Sequence, residues 1–203
     1  MSEGKNVSFY NQHRRHHSVI VAITGASGSA LGLRIIELLA AEPMLELHVV
    51  VSSAGQRTIA TEQGPEAFNQ LKSLSTYFYD CEDIGATIAS GSFPVDGMIV
   101  APCSMHTLAA IANGITNNLI IRAADVQLKE RRRLILMTRE TPLHLGHLRH
   151  MCAVTEIGGV VMPPVPAFYH NPKHIDEIIE DLALRAIALL ALPLSAKPRV
   201  WKN

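Results

Sequence analysis

The chain has 203 residues, enough for one domain with a sizeable core and too few for two of ordinary size. Its 18 basic and 18 acidic side chains cancel, which removes the electrostatic case for nucleic-acid binding, and no apolar run approaches membrane-spanning length. The three cysteines, Cys81, Cys103 and Cys152, are odd in number and lack paired metal spacing. The pattern argues against a disulfide framework or zinc ribbon, and a reducing, cytoplasmic setting fits best.

Residues 1–18 are polar and rich in His and Arg, without the apolar segment a signal peptide needs, and read as a disordered arm. Residues 19–192 alternate strand and helix patterns within one domain, and residues 193–203 form a C-terminal tail. Val19 to Thr24 is apolar and β-branched, and Gly25-Ala-Ser-Gly28 breaks it before an amphipathic helix from about Ala30 to Ala41. A glycine turn lets the backbone approach a ligand closely, and the helix start offers free amides to a phosphate. The spacing is Gly25-x-x-Gly28-x-x-x-Gly32, which is not the Gly-x-Gly-x-x-Gly dinucleotide fingerprint. A second strand, Leu45 to Val51, ends in Ser52-Ser53 where an NAD-binding fold carries an acidic residue for the ribose. The pattern argues against a nicotinamide cofactor, and a hydroxyl there suits a phosphate or a flavin.

Ala54 to Gln63 reads as a helix carrying Glu62, a surface acid on pattern alone, and a second short helix follows from about Glu66 to Ser73. Tyr77 to Cys81 reads as a short strand, Ser90-Gly91-Ser92 as a small flexible loop, and Met98 to Ala101 as a buried strand. That strand runs into Pro102-Cys-Ser-Met-His-Thr107, so hydroxyls and a helix start stand at a strand's carboxyl end, where open α/β sheets bind ligands. Cys103 has no histidine paired with it in the pattern, and a small buried hydrophobe is the better reading than a nucleophile.

Arg122 and Lys129 lie seven residues apart on a helical pattern, so the 3.6-residue period returns both cations to nearly one face. Leu134 to Met137 is a short apolar run, the mark of a parallel strand buried on both faces, and it ends in Arg139 and Glu140. Thr141 and Pro142 then read as the N-cap and first residue of a helix. Two or three cations and one carboxylate converging at this junction suggest a phosphate site, while a solvated salt-bridge cluster fits the pattern equally. His144, His147 and His150 fan around their helix and do not make a metal triad. Gly159 to Met162 is a last short strand, and Pro163, Pro164 and Pro166 stiffen a loop that delivers Phe168 and Tyr169, either to a pocket wall or to ordinary packing. In the final helix, about His174 to Leu192, Arg185 falls on the apolar stripe of Ile178, Leu182 and Leu189. Such a charge pairs with Asp181 at i,i+4, snorkels, or binds a ligand, whereas Asp176 and Glu180 face away from the stripe and read as solvated.

The alternation of elements predicts an α/β fold, a doubly wound, mostly parallel sheet of Rossmann-like or flavodoxin-like type in a single domain. The motifs Thr24-Gly-Ala-Ser-Gly28, Ala89-Ser-Gly-Ser92, Pro102-Cys-Ser104, Arg122-Ala-Ala-Asp-Val126, Leu128-Lys-Glu-Arg-Arg132, Arg139-Glu-Thr-Pro-Leu-His144 and Pro163-Pro-Val-Pro-Ala-Phe-Tyr-His170 together resemble the UbiX-like flavin prenyltransferases. The resemblance covers the chain from about Val19 to its C-terminus. It implies a dodecameric flavoprotein that joins a dimethylallyl group from dimethylallyl phosphate to N5 and C6 of reduced FMN. The prenylated FMN then serves a UbiD-type decarboxylase. By resemblance, Gly25, Ala26, Ser27, Ser52, Ser104, Met105, His106, Thr107 and Arg139 hold the flavin without covalent attachment. Ser90, Arg122, Lys129, Tyr169 and Arg185 hold the prenyl phosphate, Glu62 and Glu140 move protons, Lys129 assists, and no metal takes part. Ser53 and His106 stand where many relatives have lysine. A flavin-dependent cysteine decarboxylase of the phosphopantothenoylcysteine type shares the architecture, but carries a Pro-x-Ser-Ala-Asn-Thr-like segment in place of Pro102 to Thr107. A non-catalytic flavin-binding subunit is the third reading, and intact Lys129, Glu140, Tyr169 and Arg185 argue against it.

Overall fold

Aliphatic strands covered on both faces build the centre of the molecule. The computed structural model describes residues 16–200, so residues 1–15 of the expected arm and Trp201 of the tail lie outside it. Six strands, β1 (His17–Ile23), β2 (Leu45–Val51), β3 (Tyr77–Tyr79), β4 (Gly97–Cys103), β5 (Arg133–Thr138) and β6 (Val160–Val161), pair in the order β3-β2-β1-β4-β5-β6. Every pairing is parallel. Among the described residues seven helices flank them: α1 (Ser29–Ala40), α2 (Ser53–Gln63), α3 (Ala67–Leu74), α4 (Met105–Ala112), α5 (Leu119–Lys129), α6 (Leu145–Glu156) and, after the last strand, α7 (Ile175–Ala188).

In β1, Val19 through Ile23 are all 0% exposed, because helices cover both sides of a parallel sheet. The period of two divides them. Val19, Val21 and Ile23 pack in one core with Leu31, Ile35 and Leu39 of α1, Ile59 of α2, Leu71 of α3 and Leu182, Ala186 and Ile187 of α7. Ile20 and Ala22 pack in a second core with Leu108 of α4, Leu119, Ile120, Ile121, Ala123 and Ala124 of α5 and Val154 of α6. The sheet is thus doubly wound, as expected, and chain order reverses between β1 and β4, the switch point where such sheets bind ligands. α1 sits so close to the sheet that a Cβ on Gly32 would run into the carbonyl oxygen of Ala101. Gly28, the N-cap of α1, has φ 105°, a left-handed conformation that favours glycine.

Two local expectations are corrected. The helix after β5 starts at Leu145 rather than at Pro142, because His144 supplies the cap: its Nδ1 accepts from the amides of Gly146 at 3.0 Å and His147 at 3.4 Å. The His144 and His147 rings stack, 3.6 Å between centroids. In α7, Glu180 is not free in solvent but pairs with Arg34 of α1, so the charge that lies off the apolar stripe joins two helices.

Candidate active site

Four strand ends are tied side by side at the switch point. Thr24 Oγ1 donates to the Pro102 carbonyl at 2.7 Å and accepts from the Ser104 amide at 2.8 Å. The Ser52 amide donates to Ile23 O at 3.0 Å, and the Arg139 amide to Cys103 O at 3.1 Å. These bonds align the turn Gly25 to Ser27, Ser52, the segment Ser104 to Thr107, and Arg139 with Glu140 along one edge. Ser52 Oγ caps α2 by accepting from the Gly55 amide at 3.0 Å, and Ser104 Oγ caps α4 by accepting from Thr107 N at 3.3 Å. Gly25 lies against α2, where a Cβ would come within 2.5 Å of Ala54 Cβ.

Glu62 is more than the surface acid its pattern suggested. Its carboxylate accepts from the Gly28 amide at 3.0 Å, the Ser29 amide at 2.8 Å and Ser29 Oγ at 2.7 Å. It therefore fills the anion position at the start of α1 with the chain's own charge. Burial works against that charge, yet the hydrogen bonds from Ser27, Ser29 and Gly28 outweigh it and hold the carboxyl below its ordinary range. Gly25, Ser27 and Glu62 line an open polar groove of about 400 Å³ with Ala54, Arg57, Thr58 and Thr61. Sequence reasoning passed over Arg57, Thr58 and Thr61; their spacing, i, i+1 and i+4 on the helix that carries Glu62, was the available signal. Cys103 is 0% exposed, and burial pushes its thiol up to about 12, as suits a small core residue.

A second group surrounds the Ser90 loop. Arg122 Nε donates to Ala89 O at 3.2 Å while its Nη1 pairs with Asp125 at 2.7 Å. Arg132 forks onto Gly91 O at 2.7 Å and Phe93 O at 2.9 Å. Lys129 pairs with Glu130, and its hydrogen bond helps hold that carboxyl below the usual range. A Cβ on Gly91 would meet both side chains. This group is where the strands begin, since α5 ends at Lys129 just before β5 starts at Arg133. Arg139 and Glu140 lie beyond the far end of that strand, roughly 20 Å away at ~3.3 Å per residue. The single junction expected from the sequence is therefore not formed within one chain.

Tyr169 and Arg185 make a third group. They line a cavity of about 150 Å³ with Val165, Ala167, His170, Leu182 and Pro198, in the layer of α7 and on the face of the sheet opposite α5. Arg185 makes no ion pair among the described residues. Asp181, its expected partner, turns instead to His170 Nδ1 at 2.9 Å.

A flavoprotein family model matches residues 7–182. The flavin prenyltransferase UbiX of Thauera aromatica is 52% identical over 169 residues, 83% of this chain and 86% of that one. The chain belongs to the UbiX-like flavin prenyltransferase family. Among solved members, AnUbiX in complex with FMN and dimethylallyl pyrophosphate has a TM-score of 0.88 at 42% identity, covering 93% of this chain and 99% of its own. A dodecameric FMN-dependent UbiX-like decarboxylase from Escherichia coli O157:H7 has a TM-score of 0.87 at 40% identity, covering 92% of this chain and 100% of its own. The cysteine decarboxylase TvaF, at 18% identity and a TM-score of 0.60, shares the fold alone.

The strand edge of this family member suits a flavin mononucleotide. The caps of α2 and α4 put hydroxyls and helix-start amides together, and Gly25 leaves room beside them. The amides at the start of α1 are taken by Glu62, which leaves the α2 and α4 starts and the Arg139 cation for a phosphate.

Proposed function

We propose that this protein joins a dimethylallyl group from dimethylallyl phosphate to N5 and C6 of reduced FMN, and that the prenylated FMN supplies a UbiD-type decarboxylase. The observation that carries the reading is the cationic group around Ser90. In this reading Arg122 and Lys129, gathered at the Ser90 loop and paired there with Asp125 and Glu130, turn to the donor phosphate when it binds, a use that a protein holding only a flavin at the switch point would not have. Reduced FMN, when bound, supplies the two nucleophilic ring positions. The chain supplies the rest. Gly25, Ala26, Ser27, Ser52, Ser104 to Thr107 and Arg139 orient the flavin, and Ser90, Arg122, Lys129, Tyr169 and Arg185 neutralise the departing phosphate as charge develops on it. Glu140, exposed at the edge and accepting from the Thr141 amide at 3.0 Å, is placed to move a proton. Glu62, whose carboxyl is held below its ordinary range at the start of α1, is the second carboxylate of the proton transfers in this reading.

A single copy leaves these groups apart, at the two ends of β5 and on opposite faces of the sheet. We infer that further copies of the chain bring them together in a homo-oligomer, a dodecamer like that of the Escherichia coli relative. Among the described residues no helix is long and apolar enough to cross a membrane, and a cytoplasmic setting is proposed.

The test is to mix the protein anaerobically with reduced FMN and dimethylallyl phosphate and weigh the flavin. A gain of one isoprenyl unit, undiminished by EDTA, is the expected result. An unchanged flavin together with carbon dioxide released from phosphopantothenoylcysteine would overturn the reading in favour of the decarboxylase.

A further inference from the structure

Asp181 lies in α7 one turn before Arg185, and its side chain is 11% exposed. One carboxylate oxygen sits 2.9 Å from His170 Nδ1, and the other sits 3.2 Å from Arg199 Nε. The two partners come from different segments. His170 closes the 3-10 turn Phe168–His170 that carries Tyr169, and Arg199 belongs to the C-terminal tail. Both line the cavity shared by Tyr169 and Arg185. One carboxylate thus ties two irregular segments to the helix that presents Arg185.

Stability alone is a poor reason for this arrangement. His170 Nε2 is buried with no partner among the described residues, and the Asp181 oxygen facing Arg199 is attracted to it without an aligned hydrogen bond. A buried ion pair with imperfect hydrogen bonds is commonly no better than apolar packing. Asp181 also passes over Arg185, the cation spaced i,i+4 from it on the same helix. That choice keeps the Arg185 guanidinium available to an anion.

We propose that Asp181 is a positioning residue for the prenyl-donor pocket, fixing the Tyr169 turn through His170 and strapping the tail across the cavity through Arg199. The proposal rests on the reading that Tyr169 and Arg185 hold the donor phosphate. Because Asp181 acts on geometry at the donor end, its loss should weaken donor binding and spare the flavin.

Steady-state prenylation with dimethylallyl phosphate titrated against saturating reduced FMN tests it. Asp181→Ala is expected to raise the donor KM about tenfold, an effect of about 1.4 kcal/mol, with kcat within roughly threefold and FMN affinity unchanged. Arg199→Ala, at an exposed side chain that folding does not need, should raise KM less. The double variant should be no worse than Asp181→Ala alone, because both changes cut the same tie. Asp181→Asn, which can keep a hydrogen bond to His170, should fall between. An unchanged KM in Arg199→Ala, additive losses in the double variant, or a fall in Tm and kcat with KM untouched would overturn the proposal. Arg185→Ala separates the two readings. If it raises KM and the Asp181 and Arg199 variants do not, the strap is wrong and the pocket stands; if it leaves KM unchanged, the pocket assignment itself is wrong.

Discussion

Cys103 sits at the strand edge where a nucleophile would be useful, yet its side chain is 0% exposed and its thiol is pushed up to about 12 by burial. Burial raises Cys81 in the same way, while Cys152 is exposed on α6. Iodoacetamide should therefore modify Cys152 first and Cys103 only after unfolding, as peptide mapping would read; early labelling of Cys103 contradicts this. His48 is the other buried titratable group with a consequence. Burial lowers it from 6.5 to about 4, with Nδ1 2.9 Å from the Tyr79 hydroxyl and the ring stacked on Tyr77 at 4.8 Å. The unfolded chain takes up this proton near 6.5 and the folded chain only near 4, so between those values the unfolded state binds more protons. The stability His48 permits is thus full above pH 6.5 and is lost as pH falls toward 4. Urea denaturation across that range should show a shallower acid loss in His48→Gln than in the parent, and equal slopes would refute the assignment.

Gly32 and Gly91 both stand in close contact with neighbouring segments, and the kind of atom each faces sets different outcomes. At Gly32 an added Cβ runs into the Ala101 carbonyl and comes within 2.9 Å of the Ile23 side chain, so α1 would have to lift from β4. Gly32→Ala should cost about 1–3 kcal/mol by denaturant titration. At Gly91 the obstacles are the ends of Lys129 and Glu130, flexible side chains that can swing aside. Gly91→Ala should change stability by less than about 0.5 kcal/mol while displacing Lys129 and lowering turnover roughly tenfold. If the two substitutions proved equally destabilising, the Ser90 loop would be a structural contact and not a binding surface. Arg132, whose fork on Gly91 and Phe93 holds this loop against α5, belonged to a recognised motif but had no role until its partners were seen.

The proposed division of the site between copies has a measurable consequence at the scale of the assembly. Lys129→Ala and Glu140→Gln are each expected to be inactive alone. In assemblies mixed at equal ratio, a site that draws Lys129 from one copy and Glu140 from another is intact about one time in four, by random choice at two independent positions. Verified mixed oligomers should recover about a quarter of the parental turnover. No recovery would mean that both residues serve from the same chain.

The sequence by itself determined most of the elements and the serine-capped strand edge, because both are local. Period two and short apolar runs mark strands buried on both faces, and the bounds of β2, Leu45–Val51, match that pattern. A serine ending a strand before a helix caps that helix whatever surrounds it, so Ser52 and Ser104 could be read directly. Tertiary structure alone decided which charges share a site. Glu62 reaches Gly28 and Ser29 across more than thirty positions, Arg122 and Arg132 reach the Ser90 loop, and Asp181 prefers His170 and Arg199 to the arginine one turn away. Helical spacing says which side chains can meet on one helix. It is silent about competing partners from other segments, and those arrive only when the sheet order β3-β2-β1-β4-β5-β6 brings distant loops together. The same order sets Lys129 and Glu140, eleven residues apart in the chain, at opposite ends of a strand, because six extended residues intervene.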